Sequence, residues 1–99
     1  MGCQSKVEFM RIETESGSIY EVDLIHQLVR RFGDNATRRC VGEWKKYDFL
    51  GPVRRGAPFL ITWPPGTPLL DGTPSDALIR ASTRSSRVVN FEHVIKDLN

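Results

Sequence analysis

Adjacent pairs of basic residues are the feature of this sequence with the clearest chemical potential. The chain has ten arginines and four lysines, and a guanidinium can bind a phosphate through two parallel hydrogen bonds, which an ammonium cannot do. The basic clusters are Arg30-Arg31, Arg38-Arg39, Lys45-Lys46, Arg54-Arg55 and Arg84 with Arg87. If the fold brings the pairs at 30–31, 38–39 and 54–55 together, they create a local positive field that can hold a phosphate-bearing ligand.

Two aromatic residues, Trp44 and Tyr47, flank one of these clusters, Lys45-Lys46. Aromatic rings between cations are suited to stacking on nucleic-acid bases. The predicted ligand-binding residues are therefore Arg30, Arg31, Arg38, Arg39, Arg54, Arg55, Trp44 and Tyr47. Two other interpretations stay open. Neighbours on a strand point to opposite faces, so half of the arginines would pair with carboxylates, and a GC-rich coding sequence also enriches arginine.

Catalytic and metal-binding patterns are absent from the sequence. Zinc ligands in small proteins come in closely spaced pairs, whereas the candidates here are far apart: Cys3, His26, Cys40 and His93. Ser16-Gly17-Ser18 belongs to a predicted hairpin turn and not to a nucleophile elbow, and no phosphate-binding loop motif occurs. We therefore predict that the protein is not an enzyme and that it uses no metal and no cofactor.

The length and composition predict one globular domain spanning residues 1–99. A chain of 99 residues, 39% hydrophobic and 26% charged, has the balance of an ordinary folded domain. A net charge of +2 neither favours nor excludes nucleic acid. Charged residues near the start argue against a signal peptide, and no apolar run is long enough to cross a membrane. We expect a cytoplasmic protein with reduced cysteines and no membrane association.

A β-hairpin is the firmest structural prediction. Residues 8–14 and 19–24 each alternate between apolar and charged side chains, the period-two pattern of half-buried strands. Met10, Ile12 and Thr14 are predicted to face inward in the first strand, while Arg11 and Glu13 face solvent. In the second strand Tyr20, Val22 and Leu24 face inward, and Glu21 and Asp23 outward. The connection contains Gly17, which can adopt a positive φ.

The remaining elements are shorter. Residues 24–32 fit either a strand or a short helix, and the strand continues the hairpin better. A reversal at Gly42-Glu43 is expected to bring Trp44 and Tyr47 onto the sheet, and the apolar run 58–63 is the predicted central strand. Further expectations are a last strand pair at 78–82 and 87–92 around a turn at 83–86, a tail from His93 that forms a helical turn or frays, and a flexible start at 1–7.

Six or seven short, mainly antiparallel strands at this spacing predict an all-β fold, either a small barrel or a sandwich. Residues 64–76 contain four prolines and two glycines, which makes this segment a loop. Because a stiff loop loses little entropy when it binds, it is a candidate recognition element. A tolerated insertion is the alternative.

The sequence from Thr14 to Asp23 has the form Thr-x-Ser-Gly-Ser-x-Tyr-Glu-x-Asp. With Val29-Arg30-Arg31, Gly42-Glu43-Trp44 and the apolar run ending at Trp63, it resembles a group of short actinobacterial and phage proteins of uncharacterised function. The closing strand departs from that group, because Ser85-Ser86-Arg87-Val88 replaces Thr-Ser-Pro-Val, and the 64–76 loop is long. The resemblance implies a small β-rich fold and a phage accessory role.

Together these features predict a non-enzymatic binding module for a phosphate-bearing ligand, either a nucleotide signal or a nucleic acid. In a phage setting this is a counter-defence protein of the host cytoplasm. The alternative is a protein-interaction or virion-accessory subunit that acts through oligomerisation, exposed strand edges and the 64–76 loop. Salt-dependent binding is expected of the first function, and a defined oligomer or protein partner of the second.

Overall fold

All regular structure in the described part of the chain is β-strand. The computed structural model describes residues 5–33, 42–67 and 81–98. The strands are β1 (Ser5–Thr14), β2 (Ile19–Asp23), β3 (Leu28–Phe32), β4 (Lys45–Lys46), β5 (Phe49–Leu50), β6 (Leu60–Thr62), β7 (Ser82–Arg84) and β8 (Val88–Leu98). The predicted all-β class is therefore confirmed, with eight strands in the described ranges.

The larger sheet has five strands in the order β4-β3-β2-β1-β8, and every neighbouring pair is antiparallel. The predicted hairpin forms its centre, with Met10 opposite Val22 and Ile12 opposite Tyr20. The ambiguous segment 24–32 resolves into a turn followed by β3. Its alternation gives a half-buried strand, with Val29 fully buried.

A three-stranded sheet of order β5-β6-β7 covers one face of the larger sheet. The predicted central strand is confirmed, because β6 lies between two neighbours. The two sheets share one core, in which the rings of Tyr20 and Phe59 meet edge to face with centroids 5.0 Å apart. The buried apolar residues are Ile12, Tyr20, Val22, Val29, Tyr47, Phe59, Ile61, Trp63, Ala81 and Val88. The described strands form two separate sheets and no closed barrel.

The turn between β2 and β3 is organised by Asp23. Its Oδ1 accepts hydrogen bonds from the backbone N–H groups of Ile25 and His26, both at 3.0 Å, and Gln27 completes the reversal with a φ of 56°. Burial raises the pKa of Asp23, but the hydrogen bonds from the backbone and ring of His26 and the backbone of Ile25 outweigh it and lower the pKa below its usual value.

Four expectations about the elements differ from the structure or lie partly outside the residues that it describes. β7 pairs with β6 and not with β8, so the predicted last hairpin is wrong, and residues 83–84 lie in a strand and not in a turn. The tail is strand through Leu98 and not helical, because it pairs with β1 along its length. Residues 5–7, assigned to a flexible start, belong to β1. Of the 64–76 loop, residues 68–76 lie outside the described residues.

No helix with the length and apolarity required to cross a membrane occurs in the described ranges.

Candidate functional site

A groove runs across the face of the five-stranded sheet that is turned away from the core. Its volume is about 320 Å³. It is lined by Phe9, Met10, Arg11, Glu21, Arg30, Trp44, Glu92 and Val94. We call it the outer-face groove. Five strands or their flanks contribute to it, so it depends on the assembled sheet and on no single segment.

Strand register places the charged groove residues in one line across the sheet. Arg11 is opposite Glu92 on one side and Glu21 on the other, and Glu21 is opposite Arg30. The order across the four strands is therefore Glu92, Arg11, Glu21, Arg30. Because opposite charges in directly paired positions attract, this line is a ladder of alternating charge with no net charge of its own.

Arg30 ends this ladder and has three partners. Its Nε donates to Glu21 Oε1 at 2.6 Å. Its guanidinium carbon lies 4.4 Å from the centroid of the Trp44 ring and 5.0 Å from that of Phe32. Such cation–π contacts hold both groups in place at a partly exposed site. The sequence predicted Arg30 and Trp44 as binding residues, and the structure brings these two together.

Apolar side chains form the rest of the groove wall. Phe9 is 39% exposed, Trp44 39% and Val94 41%. In the register of β1 and β8, Phe9 is directly opposite Val94, so the two form one apolar patch next to the charge ladder. Arg11 is held from the side by Glu13, since its Nη1 donates to Glu13 Oε1 at 2.6 Å.

Arg31 follows Arg30 in the chain but lies on the opposite face of β3. Arg31 is only 7% exposed. Its Nη2 donates to Ser18 Oγ at 2.9 Å, and its guanidinium carbon is 5.4 Å from the centroid of the Tyr20 ring. Within the described residues its Nε has no hydrogen-bond partner. The alternation of strand residues thus separates Arg31 from the outer-face groove and places it in the core.

Tyr47 is also separated from the groove. It is 5% exposed and belongs to the core, although Trp44 lies only a few residues earlier in the chain. Burial raises the pKa of Tyr47, and the negative charges of Asp23 and Glu8 raise it further. A ring buried in this way has no open face for a base, so Tyr47 has a packing role in this conformation.

The other predicted arginines do not gather at the groove. Arg54 and Arg55 are exposed in the segment between β5 and β6, and Arg55 Nη2 donates to Asn90 Oδ1 at 3.1 Å. Arg38 and Arg39 lie outside the described residues. The described arginines of the predicted site are therefore divided among the groove, the core and a loop at the edge of β8.

A second depression lies on the outer side of the three-stranded sheet. Its volume is about 370 Å³, and its lining is Phe49, Gly51, Pro52, Pro58, Phe59, Leu60 and Arg84. It has one charged side chain and no charge ladder, so it offers a less specific surface than the outer-face groove. Leu60, 40% exposed here, is a useful control position.

Two histidine–carboxylate pairs occur elsewhere. His26 Nδ1 lies 2.9 Å from Asp23 Oδ2, and His93 Nε2 lies 2.8 Å from Glu8 Oε2. Across residues 5–33, 42–67 and 81–98, no three histidine, cysteine or acidic side chains come together in a group that could hold a metal ion. Cys3 and Cys40 are outside these ranges.

Comparisons with protein-family models, curated proteins and solved structures found no match to this chain.

Most residues of the outer-face groove are not predicted by the sequence. The pattern of β1 and β2 predicts only that Arg11 and Glu21 face solvent, and it gives no binding role to Phe9, Glu92 or Val94. The alternation of β1 and β2 did indicate that Arg11 and Glu21 share a face. The alternation does not show that β1 pairs with β8, and this pairing brings Glu92 and Val94 to the same groove.

Proposed function

We propose that this protein is a non-enzymatic interaction module whose outer-face groove holds a segment of a partner protein. The segment that fits carries an apolar side chain, which lies against Phe9, Val94 and Trp44. It also carries charged neighbours of both signs, which match the ladder of glutamates and arginines. The proposal follows from the composition of the groove. The alternative predicted from the sequence is also a protein-interaction role, but through oligomerisation, exposed strand edges and the 64–76 loop.

The observation that carries the proposal is the stacked pair of Arg30 and Trp44 at the groove wall. Trp and Arg are the residue types most often responsible for binding energy at protein interfaces, especially where they are already held in place. Arg30 is fixed by Glu21 at 2.6 Å and by the Trp44 ring at 4.4 Å. A partner segment that contacts the pair therefore meets a surface that needs little further ordering.

The phosphate-bearing ligand remains a second candidate with weaker support. Arg30 and Trp44 form a cationic stacking platform, which favours it. However, the groove also contains Glu21 and Glu92, and their charges offset those of Arg11 and Arg30. A phosphate entering the groove would meet both carboxylates, so the field there does not favour an anion. A protein segment with mixed charges has no such conflict.

A peptide-display library tests the proposed function. The library is selected against the wild-type protein, and the enriched peptides are titrated against W44A, F9A and the control L60A, whose side chain lines the other depression. We expect at least a tenfold loss of affinity in W44A and F9A, since interface anchors cost about 2 kcal/mol or more when truncated. L60A is expected to bind like the wild type.

Peptides that bind W44A and F9A as tightly as they bind the wild type would overturn the proposal, and so would a selection without enrichment.

A parallel titration with oligonucleotides and nucleotides tests the second candidate. If one of them binds, and if its affinity falls steeply between about 50 mM and 200 mM salt, the phosphate-bearing ligand is favoured. The proposed setting is the cytoplasm, and a phage accessory role rests on the sequence resemblance alone.

A further inference from the structure

Strand β8 forms one edge of the five-stranded sheet and is its longest strand, with 11 residues. Near its start the edge is covered, because Val88 exchanges backbone hydrogen bonds with residues 56 and 57: Gly56 N–H donates to Val88 O at 2.8 Å, and Val88 N–H donates to Ala57 O at 3.0 Å. Beyond that point, no described strand pairs with the outer edge of β8. Val94 and Ile95 are 41% and 55% exposed there.

The hydrogen bonds between β1 and β2 show which backbone groups of β8 remain free. Thr14 N–H donates to Ser18 O and Leu24 N–H donates to Glu8 O, so the even residues of β1 bond toward β2. In an antiparallel ladder the odd residues then bond toward β8. Phe9 is opposite Val94, and Arg11 is opposite Glu92.

The even residues of β8 therefore bond inward to β1, and the odd residues direct their N–H and C=O groups to the open edge. These odd residues are Phe91, His93, Ile95 and Asp97. An edge of this length with unpaired backbone groups and exposed aliphatic side chains is a template for another strand.

We propose that a second copy of this chain occupies the edge, with the two β8 strands antiparallel and Val94 on the two-fold axis. In this register His93 pairs with Ile95 of the other copy, and Phe91 pairs with Asp97. All four residues with free backbone groups thereby enter hydrogen-bonded pairs, and Val94 forms a non-hydrogen-bonded pair with its own equivalent.

Charge complementarity selects this register. With Val94 on the axis, Glu92 lies opposite the partner's Lys96, and Lys96 lies opposite the partner's Glu92. Both pairs flank the Val94 contact on the groove side of the sheet. Moving the axis by one residue, to His93, would place Glu92 opposite Val94 and Lys96 opposite Asn90, so both ion pairs would be lost. Charged residues usually protect an edge from pairing, but here their spacing makes the edge complementary to itself.

The dimer joins the two five-stranded sheets into one continuous sheet and brings the two outer-face grooves together, since Glu92 and Val94 line each groove. The partner's Lys96 then lies beside Glu92 at the end of the charge ladder. The inference does not depend on the proposed function, because the edge can pair whether or not a groove holds a partner segment.

Charge reversal with sedimentation equilibrium tests the pairing on the full chain. We expect a dimer for the wild type and at least a tenfold weaker association for E92K and for K96E, because each creates two like-charge pairs. The double variant E92K/K96E restores opposite charges and is expected to dimerise like the wild type. An equimolar mixture of E92K and K96E is expected to form a heterodimer.

Cysteine cross-linking tests the register. In a C3S/C40S background, V94C is expected to form an intermolecular disulfide, because non-hydrogen-bonded partners have Cα atoms about 4.5 Å apart. The control V89C replaces a valine that is even more exposed than Val94, 52% against 41%, but lies far from the axis, and it is expected to stay reduced.

A wild-type chain that is monomeric at every concentration measured would overturn the proposal, and so would equal cross-linking of V94C and V89C. Dimers of E92K or K96E as stable as the wild type would overturn the register. Each variant is compared with the wild type by cooperative unfolding, so that a folding defect is recognised. Peptide binding by the outer-face groove is measured separately with F9A, which lies off the edge, and this keeps failure of the dimer distinct from failure of the proposed function.

Discussion

Arg30 and Trp44 form a stacked pair, with the guanidinium carbon 4.4 Å from the centroid of the indole ring. The Nε of the same guanidinium donates to Glu21 Oε1 at 2.6 Å. Trp44 precedes β4, a strand of only two residues, so little backbone pairing fixes its position. The contact with Arg30 is therefore a main determinant of where this exposed ring lies.

A double-mutant cycle measures this pair. We expect R30A and W44A to be coupled by about 0.5–1 kcal/mol in free energy of unfolding, the value of a partly exposed cation–π contact. Urea denaturation of the wild type, both single variants and the double variant gives the coupling. The control cycle pairs W44A with R84A, an arginine of the other sheet, and is expected to be additive. Additivity in the first cycle would contradict the stacked pair.

Arg31 should matter to stability far more than its neighbour. R31A removes the buried side chain that packs on the Tyr20 ring and its 2.9 Å hydrogen bond to Ser18 Oγ, so we expect a loss of about 2–3 kcal/mol in free energy of unfolding. R30A, at a half-exposed position, is expected to cost about 1 kcal/mol or less. R31M keeps the aliphatic contact and should recover part of the loss. Equal effects of R31A and R30A would contradict the burial of Arg31.

The sequence predicts the local parts of this fold well. The hairpin of β1 and β2 was predicted because both strands carry a complete apolar and polar alternation, and the connection has a glycine where a turn needs one. The pairing of distant strands is different. β8 was expected beside β7, its neighbour in sequence, but it pairs with β1, because that pairing extends the larger sheet over the full length of β8.

The sequence predicts only part of the candidate site, because the site also depends on the pairing of strands that are distant in the chain. Alternation along β3 separates Arg30 from Arg31, as the period-two geometry of a strand predicts for adjacent residues. The sequence could not show which of the two faces the second sheet covers, and that decides that Arg31 is buried and Arg30 exposed. The groove residues of β8 lie far along the chain from Arg30, so only the assembled sheet brings them together.

Gly33 is expected to be the least replaceable glycine among those described. Its φ is +127°, and a Cβ there would lie 2.6 Å from Gly17 O and 2.9 Å from Ser18 Cα. Both contacts are with backbone, which cannot move aside without disturbing the β1–β2 turn. We expect G33A to cost about 3 kcal/mol or more, the sum of backbone strain and overpacking.

Gly17 provides the matched control for that prediction. Its φ is +87°, but a Cβ there would meet nothing within 4 Å. G17A therefore has the backbone penalty alone, about 1 kcal/mol. Chemical denaturation of both variants measures the difference. If G17A is as destabilising as G33A, the close approach of Gly33 to the turn is not the cause.

Asp23 gives the protein a pH-dependent contribution to stability. Its pKa is lowered in the folded state by hydrogen bonds from the backbone and ring of His26 and the backbone of Ile25, which outweigh the effect of burial. A carboxyl group with a lowered pKa stabilises the folded state above its unfolded pKa of about 3.9, and the contribution disappears as the pH falls through the folded pKa.

D23N keeps an oxygen acceptor at the turn but cannot carry the charge. We therefore expect D23N to be less stable than the wild type at neutral pH, and the difference to shrink as the pH is lowered below about 4. Urea denaturation at a series of pH values measures it. E15Q also removes one negative charge, but from an exposed side chain, so its effect on stability should be small. A difference between D23N and the wild type that is constant down to low pH would mean that the hydrogen bonds at Asp23 do not depend on its charge.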